Sequence, residues 1–284
     1  INSDVMKIHQ KSGIGNEVIK KYMEMYYHTP KNFEDFVYVG LVMQGNGMKE
    51  GIEAHRRNQP YCMGTLYWQL NDDWPVVSWS SIDYYNNWKA LHYKAREVFA
   101  PIALGSELKN NQLSFFILSD KLEDVDNLQL HVQVIDFEGK ILKNFKQTVS
   151  AKSNSSFKVS TYNIADLVNE EQKHHCVIHA WLSDKKDNFI SGKNIYFFWP
   201  VNLNLPETTI QKTVSYGDGK YTITLWSKYL AKDVFVEIPI QGAKFSDNFF
   251  DLMPGEKKTI VITSPQLKAS DKTPISIKHL RETY

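Results

Sequence analysis

Four of the seven tryptophans, Trp68, Trp74, Trp79 and Trp88, fall in one run that also holds Gln69, Asn71, Asp72, Asp73, Asp83, Asn86 and Asn87. This mixture suits a polyhydroxylated ligand. Aromatic faces stack on the C–H face of a sugar ring, while amide and carboxylate groups offer directional partners to its hydroxyls. Trp79 and Trp88 also fit a core role, whereas Trp68 stands where a short strand would end. Asp72 and Asp73 look like an acid/base pair, but neighbours on an extended chain point to opposite sides. A retaining glycosidase needs two carboxyls about 5 to 5.5 Å apart, normally from different strands. Asp72 is therefore read as a hydrogen-bonding or capping residue for the loop that follows.

The other candidates carry less chemistry. Glu17, Glu24, Glu34, Glu50 and Glu53 fall on expected helices and are read as solvated or ion-paired, with Arg56 and Arg57 as structural ion-pair partners. His174, His175, Cys176 and His179 invite a metal, yet on a strand His175 and His179 share one face while Cys176 takes the other, so the set does not converge as zinc ligands do. No phosphate-cradling glycine motif, zinc-ligand spacing or nucleophile elbow occurs. Asn154-Ser155-Ser156 is a lone glycosylation sequon.

The elements that must position these residues change in texture along the chain. Residues 1 to about 100 read as helices around one short strand. Asn16 to His28 places Val18, Ile19, Tyr22, Met25 and Tyr26 at helical spacing, ended by Thr29-Pro30. A second helix follows Pro30 with Phe33, Phe36, Val37, Gly40 and Leu41 on its buried side; Gly45, Gly47 and Gly51 interrupt it and predict a break before Ile52 to Arg57. Cys62 to Leu70 reads as a buried strand, and Asn86 to Phe99 as a helix stopped by Pro101. A single strand has no ladder partner for its backbone groups, so this piece looks like the tail of a parallel α/β barrel.

From about 102 onward, short alternating strands with turn residues predict two β-sandwiches. Leu113 to Leu118, Leu128 to Asp136, Phe157 to Tyr162, Cys176 to Leu182 and Tyr196 to Trp199 belong to the first, with Phe137 to Lys140 as a hairpin turn and a helical turn near Ala165 to Asn169. Pro200 and Pro206 bracket a linker, after which Tyr221 to Trp226, Val234 to Ile240 and Thr259 to Thr263 form the second. The expected fold is multidomain, α/β plus all-β: a C-terminal remnant of a (β/α)8 TIM barrel in 1–101, then immunoglobulin-like β-sandwiches in 102–203 and 204–284.

Composition narrows the function. The 284 residues carry 33 basic and 32 acidic side chains, a formal charge of only +1, which argues against a nucleic-acid or anionic-membrane reader. With 42% hydrophobic residues the chain can bury cores, and its two cysteines, Cys62 and Cys176, rule out a disulfide framework. No apolar run approaches the roughly 18 residues of a membrane span. The opening Ile1-Asn2-Ser3-Asp4 lacks a signal pattern and an initiator Met, which suggests a piece of something longer.

The wording of several segments resembles one family. Gly64-Thr65-Leu66-Tyr67-Trp68-Gln69-Leu70-Asn71-Asp72 is similar to the eighth barrel strand of the β-mannosidases of glycoside hydrolase family 2. Trp74 to Tyr84, Trp88 to Tyr93 and Phe99-Ala100-Pro101 resemble the continuation into the last helix and the next domain. His9-Gln10-Lys11 with Gly15-Asn16 resembles the segment after the nucleophile strand, Glu53 to Arg57 the helix before strand eight, and Ser246 to Glu256 a hallmark of the final Ig-like domain.

The resemblance implies a retaining exo-enzyme that releases terminal non-reducing β-D-mannose from mannosides and oligosaccharides by means of two glutamates, one in an Asn-Glu motif and one in a Ser-Glu-Tyr/Phe-Gly-type motif. Neither motif is present, so both would lie upstream and the chain alone should be inactive. Of the family's site residues only Trp68 has a match, as a wall of the mannose subsite. The implied partners are a carbohydrate substrate and the upstream remainder of the same polypeptide, without cofactor, metal, nucleic acid or membrane span. The implied compartment of the parent is the bacterial periplasm or exterior, or the lysosome in an animal. Rival readings are a non-catalytic glycan-binding or structural sandwich protein and a β-galactosidase or β-glucuronidase of the same family.

Overall fold

The computed structural model describes residues 1–267 and 273–284. Helices α1 (Asp4–His9), α2 (Gly15–Tyr26), α3 (Phe33–Arg57) and α4 (Ala90–Val98) precede an all-β region, and no helix among the described residues is long and apolar enough to cross a membrane. Helix α3 runs unbroken through Gly45, Gly47 and Gly51, contrary to the break expected before Ile52. Gly45 explains part of this: a Cβ there would lie 3.1 Å from the Ala90 backbone and side chain, so glycine lets α3 pass against the start of α4. The buried side of α3 also differs from the expected one. Phe33 and Val37 face solvent, whereas Tyr38, Val39, Val42 and Ile52 are buried.

Cys62 to Leu70 forms no strand, a second departure from expectation. The segment is irregular, with bends at Trp68 and Leu70, and largely exposed, Leu66 at 98% and Leu70 at 57% of full accessibility. A parallel strand is defined by ladders to its neighbours, and no second strand lies beside this one, so no closed barrel forms among the described residues.

The chain divides into two compact units, one of residues 48–66 and 95–204 and the other of residues 1–47, 67–94 and 205–284. In the first, β1 (Ile102–Lys109), β2 (Gln112–Ser119) and β5 (Ser155–Asn163) form one antiparallel sheet. The strands β3 (Val125–Asp136), β4 (Ile141–Ala151), β6 (Cys176–Ser183) and β7 (Phe189–Ile195) form the other, in the order β4-β3-β6-β7. Leu104, Leu113, Phe115 and Ile117 of one sheet and Leu130, Val132, Val134, Ile178, Ala180 and Leu182 of the other make the core, as period-two alternation requires. The expected turn at Phe137 to Lys140 is present, with Gly139 at φ 101°, and α5 (Ile164–Leu167) is the expected helical turn.

Tyr196 to Trp199, by contrast, lies outside the last strand of this sheet, which is β7. Its sequence, Phe-Ile-Ser-Gly-Lys-Asn-Ile, reads as a polar loop because Ser191 and Lys193 point inward. Both are satisfied by distant partners: the Ser191 hydroxyl accepts the Leu104 amide at 3.0 Å, and the Lys193 ammonium donates to both Glu53 oxygens at 2.7 Å. Glu53 also accepts the Ser106 amide at 2.7 Å and faces Arg57 at 3.3 Å. Arg56, on the same helix α3, donates to the Val98 carbonyl and to the Ala100 carbonyl at 3.0 Å, and forms an ion pair with Asp120 at 2.9 Å. The structural ion-pair role read for both arginines holds.

In the second unit, β8 (Ile210–Gly217), β9 (Lys220–Ser227), β10 (Ala231–Glu237), β11 (Lys244–Phe245), β12 (Phe250–Leu252), β13 (Lys258–Thr263) and β14 (Ser276–Lys278) form two sheets, β11-β13-β9-β8 and β12-β10-β14. Tyr221, Ile223, Leu225, Val234, Val236, Leu252, Ile260 and Ile262 fill the space between them. Lys232, also buried, lies 3.0 Å from Asp233 and 3.6 Å from Asp251. Burial opposes its charge, but the two carboxylates outweigh burial and raise its pKa.

Candidate functional site

The stretch from Tyr67 to Trp88 lies wholly in the second unit and is held from one side. Ser81 donates its amide to the Gln69 carbonyl at 3.0 Å, Ile82 donates to Leu70 at 2.9 Å, and Asp72 returns a bond to Ile82 at 3.3 Å, which makes a short parallel bridge. Beneath it the buried Ser81 hydroxyl donates to the Leu70 carbonyl at 3.0 Å and lies 3.1 Å from both the Tyr67 hydroxyl and His92 Nδ1. One donor and two lone pairs are then fully used, with Tyr67 and the Nδ1–H tautomer of His92 as donors. This clamp fixes the backbone on which Trp68 stands. The Trp68–Gln69 peptide is cis.

Asp72 ties the following loop, as its sequence reading expected. Its carboxylate accepts from the Ser78 hydroxyl at 2.6 Å and from Ser80, and lies 3.3 Å from the Lys89 ammonium, which itself donates to Ser80 at 2.6 Å. Burial pushes the Asp72 carboxyl up, but the two hydroxyls and Lys89 outweigh it and hold the pKa below the usual range. A carboxylate so engaged is an anchor rather than a proton donor. Asp83 likewise closes the next turn, accepting the Asn87 amide at 2.8 Å and its side chain at 2.9 Å.

The loop is pinned again near its middle. Val77 donates to the His9 carbonyl at 2.9 Å, Gln10 and Val77 form a parallel bridge, and His9 contacts the Pro75 carbonyl through Nδ1. The His9 ring stacks on Trp74 at 4.7 Å, and the Lys11 ammonium lies 4.5 Å from the same indole. Trp88 packs against His92 at 4.3 Å and Tyr93 at 5.5 Å. Trp74 and Trp88 are therefore structural. Trp68 and Trp79 are the outward ones, 72% and 47% accessible, and Tyr84 and Tyr85 of the same run are exposed too.

The arrangement is a rigid mount for exposed aromatic rings with no opposed pair of free carboxylates, so it can hold a ligand but supplies neither acid nor nucleophile. Ser81, His92 and Tyr67 went unseen in the sequence because nothing in their spacing marks a shared hydrogen-bond centre. The histidine cluster does not converge: His174 bonds the Asn202 carbonyl at 2.8 Å, His179 bonds Asn194 at 2.7 Å, and Cys176 is buried with its thiol pushed up to about 12 by desolvation and Asp136. No group of three or more His, Cys, Asp or Glu that could hold a metal occurs among the described residues.

Comparison with known proteins bears on the whole chain. Residues 111–201 match the mannosidase Ig/CBM-like domain and residues 205–283 the Ig-fold domain of the mannosidases. A β-mannosidase of Bos taurus is 27% identical over 95% of this chain and 33% of its own length, and β-mannosidase B of Aspergillus terreus is 25% identical over 98% and 34%. The crystal structure of a β-D-mannosidase from Dictyoglomus thermophilum superposes with a TM-score of 0.86 at 28% identity, covering 98% of this chain and 34% of that one. An exo-chitosanase of Amycolatopsis orientalis shares the fold alone, with a TM-score of 0.74 at 18% identity over 93% of this chain and 36% of that one. The chain thus spans about a third of the length of the relatives it matches. It carries two matched mannosidase domains, and its likeness to the C-terminal portion of β-mannosidases runs on through the clamped tryptophan segment.

Proposed function

We propose that this chain is the C-terminal third of a retaining exo-β-mannosidase that removes terminal non-reducing β-D-mannose, with both catalytic glutamates supplied from upstream. The likeness to the Dictyoglomus thermophilum β-D-mannosidase over 98% of the chain carries this reading. Residues 1–101 are then the closing part of a (β/α)8 barrel, followed by Ig-like sandwiches at 102–203 and 204–284. Exposure at Leu66, Trp68 and Leu70, and on Val18, Tyr22 and Met25 of α2, supports missing barrel neighbours. Trp68 forms a wall of the mannose subsite in this reading, held at its place by the Ser81 clamp.

The test is a chromogenic β-mannoside. The chain alone gives no turnover, whereas the intact parent is active and its Trp68→Ala variant loses tenfold or more in kcat/KM through the lost stacking surface. Robust hydrolysis by the isolated chain, or an unaffected Trp68→Ala parent, would overturn the assignment.

A further inference from the structure

We infer that the C-terminal sandwich carries a carbohydrate site of its own, a groove that takes a short neutral oligosaccharide laid across Trp226. The groove is open to solvent, about 1010 Å³, and its lining includes Glu207, Gln211, Trp226, Tyr229, Arg281 and Tyr284, all within the second unit. Its size reaches the top of the usual range for small-molecule sites, about 300 to 1,000 Å³.

The sequence of β9 shows why Trp226 is unusual. Tyr221, Ile223 and Leu225 point into the core, and the intervening outward positions are Thr222, Thr224 and Trp226. Core packing does not require an indole on that outer face. Gln211 is its cross-strand partner and is exposed, so an aromatic face and a primary amide stand side by side, roughly 5 Å apart at the Cβ atoms. At the rim, Gly255 presents no side chain, and no atom lies within 4 Å of where a Cβ would sit.

The electrostatics select the class of ligand. Arg281 donates to Glu207 at 2.9 Å and lies over Tyr284 at 4.8 Å; Lys31 donates to the Glu282 carbonyl at 2.9 Å; Lys228 lies over Tyr229 at 4.7 Å. Each of these cations already has a partner, and the Lys257 ammonium lies 5.7 Å from the Trp226 ring, so a ligand on the indole shares it with that side chain. What the wall offers is an indole and an amide, the groups that recognise C–H faces and hydroxyls of a neutral sugar.

The groove stands apart from the proposed activity, and only the choice of mannose as a probe rests on it. Isothermal titration of the 284-residue chain with β-1,4-mannotriose and, in parallel, cellotriose should show saturable binding of at least one sugar. Trp226→Ala should weaken it tenfold or more and Gln211→Ala, a surface change that leaves the core intact, a few-fold, whereas Trp68→Ala should leave it unchanged. Binding of cellotriose alone at Trp226 supports the groove and moves the sugar class. Absence of saturable binding by both sugars to the folded chain, or binding abolished by Trp68→Ala and untouched by Trp226→Ala and Gln211→Ala, overturns the inference. The proposed activity is read separately, by β-mannoside turnover in the intact parent.

Discussion

The ion pair between Glu53 and Lys193 lends itself to a quantitative test, because the two partners are unequally replaceable. Both are almost fully buried, at 1% and 6% accessibility. Removing Glu53 as alanine leaves the Lys193 ammonium without its carboxylate and the Ser106 amide without its acceptor. Breaking a buried pair from one side costs about 3 to 5 kcal/mol, and an orphaned buried amide about 1 to 3 kcal/mol. Replacing Lys193 with methionine is milder, since Glu53 keeps the Ser106 amide at 2.7 Å and Arg57 at 3.3 Å. We expect Glu53→Ala to lose about 4 kcal/mol or more and Lys193→Met about 2 kcal/mol. The double replacement Glu53→Met with Lys193→Met should cost less than the sum of the single ones, because neither charge is then stranded. Urea denaturation followed by far-ultraviolet circular dichroism, with unchanged slopes, reads these differences. Equal losses in the two single variants, or a strictly additive double variant, would refute the reasoning.

Other consequences follow from single residues. The lowered pKa of Asp72 means that the folded chain binds this proton less readily than the unfolded one. Its contribution is therefore complete above the ordinary carboxylate value of about 4 and is lost as pH falls through the lower folded value. Asp72→Asn should flatten the acid limb of a stability–pH profile; an unchanged limb counts against the anchoring role. Cys176 is buried with its thiol pushed up to about 12, whereas Cys62 is partly exposed. Ellman's reagent should find one fast thiol in the native chain and two after denaturation, and Cys62→Ser should remove the fast one. Gly45→Ala must force Cβ against the Ala90 backbone at 3.1 Å and should destabilise by about 1 to 3 kcal/mol. Gly47→Ala, with nothing within 4 Å, should stabilise by about 0.5 to 1 kcal/mol. Thermal melts of the pair would expose an error if both variants shift the same way.

The regular strands were legible wherever both chemistry and period were local. In β3 and β6 alternating apolar residues announce the core face, and the ends fall within a few residues of the expected ones. Polar edge β4, with Lys143, Asn144, Lys146 and Gln147, was missed because an edge strand need not alternate strongly. Helix α3 was misjudged at its glycines because their helical cost is local, whereas the close approach to Ala90 that rewards Gly45 lies 45 residues away in sequence. At the candidate site, the loop-tying role of Asp72 could be read from residue type and position. The Ser81, Tyr67 and His92 centre could not.

By itself the sequence determined the α-then-β order of the chain, the alternation that builds two sandwich cores, the tryptophan-rich segment and its β-mannosidase wording. These rest on residue type and short-range spacing, which the linear chain carries in full. Tertiary structure alone decided that Lys193 can lie inside a strand because Glu53 meets it, and that Trp226 and Gln211 share the wall of an open groove. It also decided that Cys62 to Leu70 stays irregular and largely exposed. Each of these depends on which distant group arrives, or fails to arrive, beside a backbone or a buried charge, and periodicity does not encode that partner.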